Sequence, residues 1–367
     1  MAKIEQTHIN IAQPVLDRIA RRVANAEIGY APDDDEGWKY GVDARWLADL
    51  RTYWRDEYDW RKAESAFNAH PQFRTEIDGI SIHFFHFRAK TGDGYPLLLT
   101  HGWPGSVLEF MEAAPLLAAQ GYDVVVPSLP GYGFSGRPPR PIGPARVAAL
   151  WRKLMVDGLG YMRFGAQGGD WGSTITRALG AQHGDVVGAI HLNMLALSPE
   201  AEATPEVIAW RQKLGALLMN EGAYAAEQAS KPQTIGLALA DTPLGFAGWV
   251  AEKCRSWSDC NGALESVFSK DALLTNAMTY LATGNVQAAI WMYRTTRAEP
   301  FAPGPVSRPV GFAEFPAEFL PPPPRQAVEQ GLNIVHWTKM EKGGHFAAWE
   351  QPAAFAHEVG TFFRDFR

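Results

Sequence analysis

The chain has 367 residues and 46% hydrophobic content, enough for a large core with an added segment rather than one average domain. Lys and Arg number 34 against 40 Asp and Glu, a net charge of −6 with no basic tract, which excludes nucleic acid as a partner. No run reaches the ~18 apolar residues of a membrane span, and no signal-peptide core opens the chain. Cys254 and Cys260 are too few for a disulfide framework and lack metal-ligand spacing, so plain thiols in a reducing cytoplasm are expected, with no metal and no cofactor.

In chain order, Val15, Ile19 and Val23 recur at i, i+4, i+8 behind Pro14, the pattern of an amphipathic helix. A charged loop at 33–37 follows, then a second helix over about 43–58 carrying Trp46, Leu47, Leu50, Tyr53 and Trp54. Both helices read as packing elements. Residues 73–84 predict a hairpin around Asp78-Gly79, the preferred type I′ pair; His83 and His86 lie in its alternating strand as packing or surface histidines. Short apolar runs at 96–100 and 122–126 have the character of central parallel strands. Each leads into a glycine-rich loop, His101-Gly102-Trp103-Pro104-Gly105 and Pro130-Gly131-Tyr132-Gly133 respectively. A helix over about 143–158 and a strand ending at 166 come next, and another strand at 187–192. Strands alternating with helices imply a parallel sheet with right-handed crossovers, whose functional loops gather at the strands' carboxyl ends.

The alternation stops between about 196 and 300, which reads as a helical lid inserted into the sheet domain. It resumes at Pro309-Val310-Gly311-Phe312, passes a rigid four-proline loop at 321–324 and a strand at 333–337, and closes with a helix holding Phe355, Val359, Phe362 and Phe363.

Gly168-Gly169-Asp170-Trp171-Gly172 lies where a strand passes into a helix. Small residues around one reactive side chain outline a nucleophile elbow, with Asp in place of the Ser found in esterases. A carboxylate there can attack carbon directly and form an ester. Asp170, a late acid and His345 follow the chain order of the α/β-hydrolase fold.

On these motifs the chain resembles the epoxide hydrolases of the microsomal type. His101-Gly102-Trp103-Pro104 resembles their oxyanion motif, 168–172 their elbow, Gly343-Gly344-His345-Phe346-Ala347 their histidine motif, and Tyr53-Trp54 through the 73–84 hairpin their N-terminal extension. The resemblance implies an α/β fold with a mostly parallel sheet and four parts. These are an extension with the first strands (1–92), a first core part (93–195), a lid (196–300) and a second core part (301–367). It also implies roles. Asp170 opens an epoxide, Tyr224 and Tyr293 from the lid protonate the leaving oxygen, and His345 oriented by Glu318 activates water. Trp103 and Trp171 supply oxyanion N–H groups, with a cis Trp103–Pro104 bond turning the first amide inward. Glu314 and Glu341 compete with Glu318 on sequence position alone. Trp103, Trp171, Tyr224, Tyr293 and Phe346 are expected to touch substrate. The implied partners are an epoxide and water. The membrane anchor common among microsomal relatives is not carried over, and the oligomeric state stays open between monomer and homodimer.

Two alternatives remain at this level. A haloalkane dehalogenase shares the Asp nucleophile and the following Trp but lacks the tyrosine pair. A binding protein on the same fold is expected to have lost Asp170, His345 or Glu318, and all three are present.

Overall fold

A computed structural model describes residues 3–90, 92–198, 200–298 and 304–367. Its centre is a nine-stranded sheet in the order β1-β2-β3-β5-β4-β6-β7-β8-β9. The strands are β1 (Glu5–Gln6), β2 (Gln72–Ile77), β3 (Ile80–Phe87), β4 (Tyr95–Thr100), β5 (Tyr122–Pro127), β6 (Phe164–Gly168), β7 (Val187–Leu192), β8 (Val306–Glu314) and β9 (Leu332–Lys339). From β5 to β9 every neighbouring pair is parallel, and β1, β2 and β3 add an antiparallel edge. Leu97, Leu98 and Leu99 are consecutive and fully buried, as expected of a central strand covered on both faces. The β2–β3 turn has Asp78 at φ 51° and Gly79 at φ 76°, which suits the twist of a two-residue hairpin.

The helices are α1 (Gln13–Ala24), α2 (Ala44–Asp56), α3 (Trp60–Asn68), α4 (Ala113–Ala119), α5 (Pro144–Arg152) and α6 (Asp170–Gln182). Between β7 and β8 come α7 (Pro205–Glu221), α8 (Ala223–Ser230), α9 (Pro232–Asp241), α10 (Pro243–Trp257), α11 (Lys270–Leu281), α12 (Val286–Ala289) and α13 (Trp291–Thr295). The chain ends with α14 (Arg325–Glu329), α15 (Ala347–Glu350) and α16 (Pro352–Phe363). The helix expected over 143–158 begins as α5 and widens into a π turn over Lys153–Gly158. The expected lid boundary at 300–301 falls outside the described residues.

Several elements escaped the sequence reading, the short helices α4 and α14 among them, and two show why. Strand β1 is only two residues long, too short for any alternation. Helix α3 has Trp60, Glu64 and Phe67 on its inward face, so a carboxylate interrupts the apolar stripe. That carboxylate is satisfied by the Trp60 indole, the Arg61 guanidinium and the Ile11 N–H.

The first helices pack on the inserted ones. Trp46 donates its indole N–H to Glu265 at 2.9 Å, the Tyr53 hydroxyl donates to Asp271 at 3.0 Å, and Tyr58 meets Thr275 at 3.2 Å. The inserted helices are in turn tied to the sheet's loops. Buried Asn276 donates to the Pro104 carbonyl at 2.8 Å, and Asn285 donates to the carbonyls of Gly133 and Ser135. The N-terminal segment on one side and the loops after β4 and β5 on the other thus hold the inserted helices.

Candidate active site

The turn between β6 and α6 is built by exclusion. A Cβ at Gly168 would lie 2.2 Å from the Gly172 carbonyl oxygen, and one at Gly172 would lie 1.9 Å from that of Thr100. Only glycine fits at either position. Asp170 itself adopts φ 48°, a left-handed conformation costing roughly 1–2 kcal/mol for most residues and less for Asp, whose short polar side chain bonds locally. The strain lifts the carboxylate above the sheet at the N-terminus of α6, where the helix dipole favours negative charge.

The Trp103 amide and the His345 imidazole converge on that carboxylate. The Trp103 N–H donates to Asp170 Oδ1 at 2.8 Å, and the Trp103–Pro104 bond is cis. Trp171 lies in the first turn of α6, where backbone N–H groups point out of the helix end. His345 Nε2 stands 3.2 Å from Asp170 Oδ2. The other face of the imidazole is held by Glu318, whose oxygens accept from Nδ1 at 3.0 and 2.9 Å. Glu314 bonds the Trp337 indole and Glu341 is exposed, so neither competitor reaches the imidazole.

The histidine loop is pinned to the end of α10. His345 N–H donates to the Trp257 carbonyl, Gly343 N–H to Asp259, and Phe346 N–H to Glu350. Burial alone would drive the imidazole toward its neutral form, but the charges of Glu318 and Asp170 prevail and hold its pKa well above the usual 6.5.

Tyr224 of α8 and Tyr293 of α13 hydrogen-bond each other. The Tyr224 ring stacks on Trp103 at 5.3 Å, and the Tyr293 ring meets Trp171 edge-on at 4.8 Å. Burial and the Asp170 charge push both phenols above their ordinary pKa, so both remain neutral donors. Lys253 of α10 places its ammonium 5.2 Å from the centre of the Tyr224 ring, a cation over a π face. Nothing in the local sequence announces that contact.

Two cavities meet at this point. The larger, about 350 Å³, is lined by Asp170, Trp171, Tyr224 and Tyr293 together with apolar side chains, among them Met194, Leu195, Trp210, Leu214 and Phe319. The smaller, about 10 Å³, is bounded by Asp170, His345, Glu109 and Asn193. Trp103 and Phe346, expected to touch substrate, line the small cavity instead. Trp103 is covered by Tyr224, and Phe346 packs into a cluster with Trp257, Phe268 and Trp349. The apolar residues of the large cavity were not legible in sequence. They come from separate segments and share no spacing.

Residues 4–110 match the family model described as the epoxide hydrolase N terminus, and residues 95–244 match that of the α/β hydrolase fold. A Stigmatella aurantiaca protein provisionally named an epoxide hydrolase is 40% identical over 346 residues, covering 90% of this chain and 78% of that one. Epoxide hydrolase 1 of Oryctolagus cuniculus is 32% identical over 375 residues, covering 90% and 82%. Among solved structures, the epoxide hydrolase of Aspergillus niger superposes with a TM-score of 0.88 at 30% identity, covering 100% of this chain and 97% of that one.

Proposed function

The chain belongs to the microsomal-type epoxide hydrolases and converts an epoxide and water to a vicinal diol, and from that premise we propose that the reaction runs through a covalent ester on Asp170. The observation that carries this reading is the setting of one carboxylate. One Asp170 oxygen is held by the Trp103 N–H, the other faces His345, and the residue opens onto an apolar cavity containing two neutral phenols.

In the first half-reaction the Asp170 oxygen forms a bond to an epoxide carbon as the C–O bond of the ring breaks. The ring oxygen takes a proton from Tyr224 or Tyr293, because an alkoxide is too basic to leave unprotonated. The Asp170 charge is then gone. That charge helped hold a proton on His345, so its loss lowers the histidine's affinity for protons when a base is next needed. The imidazolium proton reprotonates the tyrosinate by way of solvent, and neutral His345 remains, oriented by Glu318.

In the second half-reaction His345 takes a proton from water while the water oxygen bonds to the ester carbon. The developing oxyanion receives the Trp103 N–H; as the tetrahedral carbon collapses the diol oxygen leaves with the proton from His345, and loss of the acid proton from Asp170 to solvent restores the carboxylate. The paired phenols favour this reading over haloalkane hydrolysis, since a departing halide needs no acid. The large cavity supports an uncharged epoxide with a bulky apolar substituent, because among the described residues Asp170 is the one charged group on its wall.

The described residues include no helix long and apolar enough to cross a membrane. A reducing, cytoplasmic setting is supported by Cys254 and Cys260, both buried and unbridged.

Turnover of styrene oxide set beside 1-bromobutane tests the reaction class. The proposal expects diol from the first and no bromide from the second. Bromide release at a comparable rate would overturn it.

A further inference from the structure

The small cavity has a size and a chemistry that the large one lacks. At about 10 Å³ it is too small for an organic substrate and close to the volume that admits one water molecule. Its polar wall includes Asp170, His345, Asn193 and Glu109 beside Thr100 and His101, and of these Asp170 alone also lines the large cavity. Glu109 lies in a 3-10 turn, Val107–Phe110, capped by the Ser106 hydroxyl accepting from the Leu108 N–H. Two glycines of the preceding loop leave room for the two carboxylates. A Cβ on Gly102 would lie 2.1 Å from Asp170 Oδ1, and one on Gly105 would lie 1.7 Å from Glu109 Oε1. Glu109 is therefore folded back against the loop that carries the Trp103 N–H.

We propose that the small cavity seats the hydrolytic water and that Glu109 is a further catalytic residue, accepting the second hydrogen of that water while His345 takes the first. The inference rests on the Asp170 ester. One O–H bond of the water breaks as its proton passes to His345 Nε2, a pair on the water oxygen forms the new bond to Asp170 Cγ while the carbonyl π pair moves onto the ester oxygen held by the Trp103 N–H, and the remaining O–H hydrogen-bonds to Glu109. When the tetrahedral carbon collapses, the bond to the substrate oxygen breaks. The diol oxygen takes the proton from His345, and the acid proton left on Asp170 passes to Glu109 and then to solvent.

The surroundings of Glu109 suit an acceptor that acts late. Burial first, and then the charges of Asp170 and Glu350, raise its pKa to about 8, while His345 and the Ser106 N–H oppose the rise. Cys254 and Tyr280, the titratable groups facing it from α10 and α11, are both held neutral by burial. At the step that uses Glu109 the Asp170 charge, which raises its pKa, and the larger opposing charge of His345 are both gone, leaving burial as the main influence on its proton.

The test is rapid-quench kinetics with excess styrene oxide, reading the ester by intact mass in wild type, Glu109→Gln, Glu109→Met and His345→Gln. Glu109→Gln should leave ester formation within about twofold and slow ester hydrolysis about tenfold or more, the scale of one lost charge-assisted hydrogen bond. Glu109→Met should slow it further, and ester should accumulate in both. Equal slowing of both steps would mean that Glu109 only shapes the Trp103 loop, which overturns the inference. So would unchanged hydrolysis in both variants while His345→Gln accumulates ester. Ester in none of the proteins overturns the Asp170 reading and this inference with it.

Discussion

The two cavities that meet at Asp170 divide the chemistry by polarity. The large one is walled by side chains from the inserted helices and the ends of β7 and β8, nearly all apolar, with the phenols of Tyr224 and Tyr293 as its donors. The small one is walled by loops of the sheet and, besides Asp170, contains His345, His101 and the acid Glu109. An apolar epoxide is excluded from the second by size, and a charged water network is disfavoured in the first by the scarcity of partners. One carboxylate reached from both can be alkylated from one side and hydrolysed from the other without either reactant displacing its competitor.

The largest test of this division removes the shared residue. Asp170→Asn keeps the shape and loses the charge, so ring opening should fall by at least about 10³-fold, roughly 4 kcal/mol of barrier. The same change bears on His345. Its pKa in the folded protein lies above its unfolded value, so any stability that it contributes is fully present below about 6.5 and is lost as pH rises through the higher folded value. Removing the Asp170 charge should lower that folded value and narrow the window, which an NMR titration of the His345 ring in both proteins would report. An unshifted histidine would break the electrostatic link between the two half-reactions.

Next come the phenols of the large cavity. Tyr224→Phe or Tyr293→Phe alone should slow ester formation about tenfold, because one donor remains, and the double change should cost about 10²- to 10⁴-fold, the range of a lost general acid. Ester hydrolysis should be unaffected, since the phenols do not line the small cavity. Single-turnover kinetics separate the two steps. A double variant impaired in hydrolysis alone would reverse the assignment of the cavities.

The smallest expected effect concerns the apolar wall. Leu214→Trp should fill part of the large cavity, raising KM several-fold for a bulky aryl epoxide while leaving a small aliphatic epoxide within about twofold. Steady-state kinetics on the two substrates provide the check. Equal losses on both would mean that Leu214 supports the fold rather than the fit of substrate.

How much of this was legible in the sequence follows the same division. Asp170, Trp103 and His345 sit in turns whose backbones tolerate only glycine at named neighbours, so their motifs are written locally, and the parallel strands announce themselves as unbroken apolar runs such as Leu97-Leu98-Leu99. Glu318 could be placed only by resemblance, since Glu314 and Glu341 have equal claims until distances are known. Glu109 stood five residues beyond Pro104 without distinction, because its meaning depends on a cavity closed by the turn after β6, the histidine loop and α16. The stacking of Trp103 under Tyr224, the Lys253 contact and the wall residues of α7 were illegible for the same reason: each joins segments far apart in sequence, and no periodicity records such a meeting. Phe346 lines the small cavity from within a core cluster, a placement its sequence position could not give because an aromatic beside a catalytic histidine fits a substrate wall and a core cluster equally well.

The central claim is that Asp170 becomes covalently attached to substrate and that His345 acts only afterwards. Intact-protein mass spectrometry of His345→Gln incubated with styrene oxide tests it most directly. The account predicts one added substrate mass, located on Asp170 by peptide mapping, abolished by Asp170→Ala in the same background, and accompanied by almost no diol. A His345→Gln protein that stays unmodified while still producing diol would contradict it.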